Sequence, residues 1–187
     1  MAKFHIDSIQ TWESFEYNGQ IYSLSHLDAH EITYKGEKKD YKFVVTYGLH
    51  CFAKDSTPFN IPLTYEDGRE TLTICMERYN ASKQIRSILG NLPDAILYHT
   101  AAEKYFTLYM MNSATGQREP YKVCVAFYKE KRLLRMHILS AFFVRTGPGA
   151  PGVTIPNKAV SLFKVALDTS RSPRNAPYPK EANNRKK

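Results

Sequence analysis

Residues 96–145 carry the clearest pattern of apolar and polar positions in the chain. Residues 105–111 are aromatic and apolar, residues 121–128 alternate between apolar and polar positions, and residues 133–145 continue as a third run. Polar turn sequences separate these runs. A period of two with aromatic and β-branched residues is typical of half-buried antiparallel strands. The pattern therefore predicts a meander of three or four strands joined by tight turns.

The flanking sequence predicts further strands and two helices. Residues 9–24 have a strand, turn, strand pattern around an Asn-Gly pair, which is a strong hairpin signal. Residues 41–52 alternate around Phe43, Val45 and Tyr47 and then reach Gly48, which indicates a bulge or a close backbone approach, and residues 70–77 are predicted to form another strand. Residues 78–92 place apolar side chains at helical spacing, and a proline at position 156 suits the first turn of a second helix.

These elements predict an α+β fold with one or more twisted antiparallel sheets, one central helix and one C-terminal helix. A chain of 187 residues can bury a full core without disulfides or metal. We predict a single domain over residues 1–168, with residues 96–145 as its core meander. Residues 169–187 are predicted to be a basic tail without fixed structure.

Charge and cysteine content narrow the class of protein. Six basic residues and one acidic residue from Thr169 onward account for +5 of the net charge of +8, which leaves +3 for residues 1–168. Such a tail suits nucleic acid, or it is a solvated segment that aids solubility. No apolar run approaches the roughly 18 residues that span a bilayer, and no secretion signal is recognisable. We therefore expect a cytoplasmic protein with no membrane partner.

The cysteines and histidines show none of the usual metal-ligand spacings. Cys51, Cys75 and Cys124 are widely separated and fit buried thiols in a reducing compartment. The chain has no CxxC or HxxxH pair of the kind that holds zinc. Phosphate-binding, nucleophile-elbow and zinc-protease motifs are missing as well. We expect neither a metal nor another cofactor.

Candidate catalytic residues are dispersed along the chain, where predicted strands end or the central helix begins. Two imidazoles and a cation are the groups that metal-free RNA cleavage requires. One imidazole removes the proton of the 2′-hydroxyl, the other protonates the leaving 5′-oxygen, and the cation stabilises charge on the phosphorus. Histidine suits this role because its usual pKa is near neutrality. The candidates are His50, Arg78, His99, Lys104 and Ser140.

Each candidate also has a purely structural interpretation. His50 could be a hydrogen-bonded core histidine, Lys104 a solvated strand residue and Ser140 a hydroxyl within the sheet. Apart from catalysis, an aromatic sheet with interleaved cations could stack single-stranded bases or dock a protein. The residues expected to bind nucleic acid in this way are Tyr105, Lys122, Arg135 and Arg145.

The C-terminal half resembles the barnase–EndoU–colicin–RelE group of small ribonucleases. The resemblance rests on the order of a helix at 78–92, His99, aromatic strands and a final Ser140-Ala141-Phe142, and it covers residues 78–145. It implies a helix packed on a four-stranded antiparallel sheet, with metal-free RNA cleavage on the exposed sheet face. By this resemblance His99, Lys104 and Ser140 would lie near the site.

Most of the chain also resembles a bacterial and prophage family sometimes labelled stationary-phase growth adaptation protein. The shared features are His50-Cys51-Phe52, Arg78-Tyr79, His99 and Ser140-Ala141-Phe142, and the resemblance spans residues 24–145. It implies no particular chemistry.

Two functional hypotheses follow. The first is a metal-independent ribonuclease that acts as a growth-arresting toxin or a phage-defence effector, with RNA as substrate and a protein inhibitor or target as partner. The second is a non-enzymatic module of the phage or prophage type, which binds nucleic acid or a host protein. Convergence of His50, His99 and Lys104 in one pocket would favour the ribonuclease, whereas scattered side chains would favour the binding module.

Overall fold

The computed structural model describes residues 11–99, 104–130, 132–154 and 158–172, and the side chain of His99 lies outside that set. The strands are β1 (Phe15–Tyr17), β2 (Gln20–Tyr22), β3 (His30–Tyr34), β4 (Tyr41–His50), β5 (Asn60–Glu66), β6 (Thr71–Cys75), β7 (Leu97–His99), β8 (Lys104–Asn112), β9 (Gln117–Glu130), β10 (Leu133–Phe143) and β11 (Ala159–Val160). The helices are α1 (Met76–Ser82), α2 (Ile85–Gly90) and α3 (Leu162–Arg171), with 3-10 helices at Ser25–Leu27 and Leu92–Asp94. This composition confirms the predicted α+β class.

A seven-stranded mixed sheet forms the centre of the fold. Its strand order is β11-β7-β8-β9-β10-β4-β3. Strands β8, β9 and β10 are the predicted antiparallel meander. Strand β4 pairs with β10 in parallel, so the sheet is mixed where the pattern had predicted antiparallel pairing. Two separate hairpins, β1–β2 and β5–β6, complete the strands of the described residues.

The two faces of the sheet are occupied by different kinds of residue. On the first face, alternate residues of β4 such as Phe43 and Val45 join the main apolar core with Ile85 and Leu89 of α2. The second face carries residues that are buried but lie outside that core, because neighbouring side chains of a strand point to opposite faces. They are Tyr105, Cys124, Ala126 and Tyr128, together with the polar Thr46, Arg135 and His137.

Two glycine-containing signals in the sequence have the expected structural result. Asn18 and Gly19 both adopt positive φ, of 51° and 73°, which is the conformation of a two-residue hairpin turn. Gly48 lies where β4 passes close to β10, and a Cβ there would be 2.9 Å from the carbonyl oxygen of Leu139. The register of β10 also shifts between Ile138 and Ser140, which is the irregularity that this close approach accommodates.

The helices differ from the predicted ones in their limits. The single helix predicted for residues 78–92 is two short helices, because the chain turns between α1 and α2 at residues 83–84. Helix α3 begins after Ser161, whose hydroxyl accepts a hydrogen bond from the Lys164 amide at 3.2 Å. It therefore starts later than predicted from the proline at 156, which lies outside the described residues. The helix continues to Arg171, past the predicted domain boundary, and residues 173–187 are not described. No helix of the described chain combines the length and apolar character needed to cross a membrane.

Candidate functional site

Three of the five predicted catalytic residues lie at the end of the sheet where β4 and β10 finish. His50 ends β4 and lies opposite Ser140 in the parallel register. Its Nε2 lies 3.3 Å from Oε1 of Glu70, and its side chain is 29% exposed. Helix α1 packs at this end, where Arg78 Nη1 donates to the His50 carbonyl oxygen at 2.6 Å. We call these four residues the strand-end site.

Arg78 has a structural position within the strand-end site. The residue is buried, and desolvation lowers the pKa of its guanidinium. Besides its bond to the His50 carbonyl, the guanidinium carbon lies 5.0 Å from the ring centroid of Phe142. These contacts join α1 to the ends of β4 and β10. A guanidinium engaged in this way is not directed at a phosphate in solvent.

Arg145, expected to bind nucleic acid, is held by two carboxylates near α1. Its Nη2 lies 2.5 Å from Oε1 of Glu77 and 3.0 Å from Oε2 of Glu119. The hydrogen bond to Glu77 is the main cause that raises the pKa of Arg145. Asn112 Nδ2 donates to both carboxylates, at 2.8 and 3.1 Å. One cation between two carboxylates leaves this cluster without excess positive charge.

Lys104 lies apart from His50. Lys104 and Phe106 project from the first face of β8, whereas His50 projects from the second face of β4. Burial lowers the pKa of Lys104, which lines a cleft beside α3. His99 is paired with Lys104 in the β7–β8 register. Strand β7, which carries His99, is four strand spacings from β4, which carries His50. At the usual spacing between strands, the two strands are about 19 Å apart. The described residues therefore do not gather His50 and Lys104 in one pocket.

The remaining residues expected to bind nucleic acid are packed against neighbours. Tyr105 is 1% exposed, and Lys122 Nζ lies 4.0 Å from its ring centroid. The Arg135 side chain is almost buried, with Nε 3.7 Å from Glu130 Oε2. A ring as buried as that of Tyr105 cannot stack on a base in the observed conformation. Nucleic-acid binding by these residues stays a prediction.

A second candidate site surrounds α3, and Lys104 is the only one of its lysines that the sequence analysis had named as a candidate. Two adjoining clefts of about 590 and 430 Å³ share Lys164. Three segments that are distant in sequence supply the lysines, so that no linear basic motif marks them. We call them together the lysine surface: Lys35, Lys38, Lys39, Lys104, Lys158 and Lys164.

The lysine surface concentrates the positive charge of the folded part of the chain. Among the described residues that line the same clefts, Glu37 and Asp168 are the only acidic ones, so these lining residues carry +4. Residues 1–168 as a whole carry +3, which leaves −1 for all of their residues other than these lining residues. The excess charge of the body of the protein therefore lies at one end of the sheet.

Local contacts decide how many of these lysines can meet an anion. Lys164 Nζ is paired with Asp168 Oδ1 at 2.7 Å. Lys39 Nζ lies 4.8 Å from the ring centroid of Tyr41 and 3.5 Å from the hydroxyl of Ser170, neither of which neutralises it. Within the described residues, five of the six lysines have no carboxylate within ion-pair distance.

The fold defines a mixed α+β protein whose sheet has an ion-paired end and a lysine-rich end. The chain belongs to the YjaZ family, whose model matches residues 14–169. It is 29% identical over 175 residues to Protein YjaZ of Escherichia coli (strain K12), covering 88% of this chain and 93% of that protein. No solved structure matches the chain. Membership supports the resemblance to a bacterial family, whereas the resemblance to small ribonucleases stays a prediction.

Proposed function

We propose that this protein binds RNA through the lysine surface. The observation that carries the proposal is the segregation of charge, with +4 on the residues that line two adjoining clefts and −1 on the rest of residues 1–168. A surface of one sign attracts a polyanion and raises its rate of association. Of the six basic residues from Thr169 onward, Arg171 ends α3, which lies between the clefts, and the other five follow it in sequence, so they add charge of the same sign.

The expected contacts are to phosphates rather than to bases. The three aromatic rings that line the clefts are engaged, because Tyr41 is buried and Phe127 and Phe163 pack against the core. Lysine meets phosphate as a point charge and carries no sequence information by that contact. We therefore expect RNA binding that is independent of sequence, and similar affinity for single-stranded DNA of the same length.

The test compares two variants with the same change in net charge. Lys35, Lys38 and Lys39 are replaced together by glutamine, and in the control Lys54, Lys83 and Arg118, which are exposed elsewhere, are replaced in the same way. Fluorescence anisotropy with a labelled 20-nucleotide RNA should show at least tenfold weaker binding for the first variant and a small change for the control. Equal weakening of both would overturn the proposal.

A second candidate function is RNA cleavage at the strand-end site. The pairing of a partly exposed His50 with Glu70 favours it, since a carboxylate beside an imidazole can orient the ring for proton transfer. Ser140 lies next to His50 in the sheet. Labelled RNA is incubated with protein and EDTA, and cleavage that disappears in His50→Ala or His99→Ala supports the enzyme. RNA that remains intact at micromolar protein over hours removes this candidate.

A further inference from the structure

The larger cleft of the lysine surface lies between α3 and the start of β8, and it is large enough for a small ligand. Its volume of about 590 Å³ falls in the range of pockets that hold small molecules. Phe127, Val160 and Val165 give it an apolar part. Its polar part consists of Lys104, Lys158, Lys164, Asp168 and the hydroxyl residues Ser161, Thr169 and Ser172.

The charge of the cleft matches a dianion. Three ammonium groups and one carboxylate give +2. A phosphate monoester carries a charge approaching −2 at neutral pH, whereas a phosphodiester inside a strand carries −1. The balance of charge therefore favours a monoester over an internal phosphate of the backbone.

The lysines of the cleft differ in whether their ammonium groups are paired with a carboxylate and in how exposed they are to solvent. The Asp168 carboxylate is occupied by Lys164 at 2.7 Å. Lys158 is exposed, and Lys104 is half-buried, which lowers the pKa of its ammonium. An anion next to a desolvated ammonium stabilises its charged form and supplies hydrogen-bond acceptors in place of water. Lys104 is thus the residue whose environment improves most when an anion enters.

We propose that this cleft binds a phosphate monoester attached to a nucleoside, with Lys104 and Lys158 as the phosphate ligands and Phe127 beside the nucleoside. The terminal phosphate of a bound RNA strand is one source of this group, an assignment that rests on the proposed RNA binding. A free nucleotide is the other source, and it does not depend on RNA binding.

The experiment separates the two sources on the full-length protein. Calorimetric titration with adenosine monophosphate and with adenosine measures how much the phosphate contributes to affinity. Anisotropy with otherwise identical RNAs that carry a 5′-phosphate or a 5′-hydroxyl measures preference for a phosphorylated end. We expect at least tenfold tighter binding of the monophosphate than of adenosine, and about fivefold tighter binding of the phosphorylated RNA.

Variants assign the effect to the cleft. Lys104→Met and Lys158→Met should each remove the preference for phosphate in both assays. Lys38→Met, in the neighbouring cleft, is the matched control, and it should weaken both RNAs equally while the preference remains. Because Lys104 is half-buried, circular dichroism is used to check that Lys104→Met is folded. Lys158 is exposed, so Lys158→Met provides a test that does not depend on the folding of the Lys104 variant.

The outcomes distinguish this inference from the proposed function. Monophosphate binding that requires Lys158, without any RNA binding, supports the cleft as a nucleotide site and overturns RNA binding. RNA binding that is equal for both ends, without monophosphate binding, leaves the proposed function in place and overturns this inference. Monophosphate binding that persists in both cleft variants also overturns it.

Discussion

The dependence of RNA affinity on salt can be calculated from the lysine surface. Five of its lysines have no carboxylate partner among the described residues, since Lys164 is paired with Asp168. Each phosphate neutralised on a single strand releases counterions, and the logarithm of the binding constant falls with that of the salt concentration with a slope of about −0.7 per contact. Five contacts give a slope of about −3.5, or a loss of roughly 100-fold in affinity between 50 and 200 mM salt.

Replacing three of these lysines should reduce the slope by a known amount. With Lys35, Lys38 and Lys39 changed to glutamine, two unpaired lysines remain, the slope falls to about −1.4, and the loss over the same salt range shrinks to about sevenfold. The difference between the two slopes, about 2, is the informative quantity, because any contribution from basic residues elsewhere cancels.

The assay is fluorescence anisotropy of one labelled RNA at four or more salt concentrations. The wild-type chain is compared with the triple variant and with the control in which Lys54, Lys83 and Arg118 are replaced. The control should keep the wild-type slope, because its cations lie on other parts of the surface. A triple variant with the wild-type slope, or a control that loses as much as the variant, would show that phosphates do not contact this surface.

Three further predictions concern stability, each measured by urea unfolding. Burial is the main cause that lowers the pKa of His26 from 6.5 to about 4. Between pH 6.5 and pH 4 the unfolded chain therefore binds more protons than the folded chain, and the free energy of unfolding should fall by up to about 2 kcal/mol as the pH is lowered through this range. His26→Gln should reduce this fall, and a variant with the wild-type pH profile would contradict the prediction. Arg145→Met removes the cation that is paired with the buried Glu77 carboxylate, and it should lower the free energy of unfolding by about 2 kcal/mol. Adding Glu77→Gln should recover part of this loss, whereas additive losses in the double variant would mean that the two residues are not coupled. Gly48→Ala places a Cβ 2.9 Å from a backbone carbonyl oxygen of β10 and should cost about 2 kcal/mol, whereas Gly90→Ala, with open space around it, should be tolerated.

The local part of the fold is visible in the sequence, and the long-range part is not. The period of two in β9 and the polar turns beside it predict the β8–β10 meander, because each strand pairs with its neighbour in the chain. The parallel pairing of β4 with β10 joins residues more than 80 positions apart and leaves no local pattern. The break between α1 and α2 contains neither glycine nor proline, so helical periodicity alone predicted one continuous helix.

The candidate site depends on the same distinction. Ser140 comes to lie beside His50 only through the parallel register, so sequence could nominate both residues without predicting that they are neighbours. The sequence does not show on which face of the sheet Lys104 lies. The next two residues, Tyr105 and Phe106, are both aromatic and both buried, one on each face. A strand buried on both sides has no alternation from which the direction of a lysine can be inferred.

The lysine surface was hidden for another reason, which concerns charge. From Thr169 onward the sequence holds +5 of the total, and the remaining +3 looks ordinary when it is counted over 168 residues. Folding distributes this charge unevenly, because residues with a net charge of +4 line two adjoining clefts and the other residues of 1–168 carry −1. Net charge is a property of composition, but the field that an RNA meets depends on which charges the fold brings together.

Segregation of like charges carries a cost in the free protein, and this cost provides an independent test. Arg145 near α1 is neutralised by Glu77 and Glu119, whereas five of the six lysines of the lysine surface have no carboxylate partner among the described residues. If the lysines repel one another, Lys38→Glu should raise stability at low salt by a few tenths of a kcal/mol while it weakens RNA binding. Changes of opposite sign in the two measurements are expected for a surface kept for binding. A Lys38→Glu variant that is less stable at low salt would mean that repulsion among these lysines does not destabilise the free protein, and this argument for a binding surface would fail.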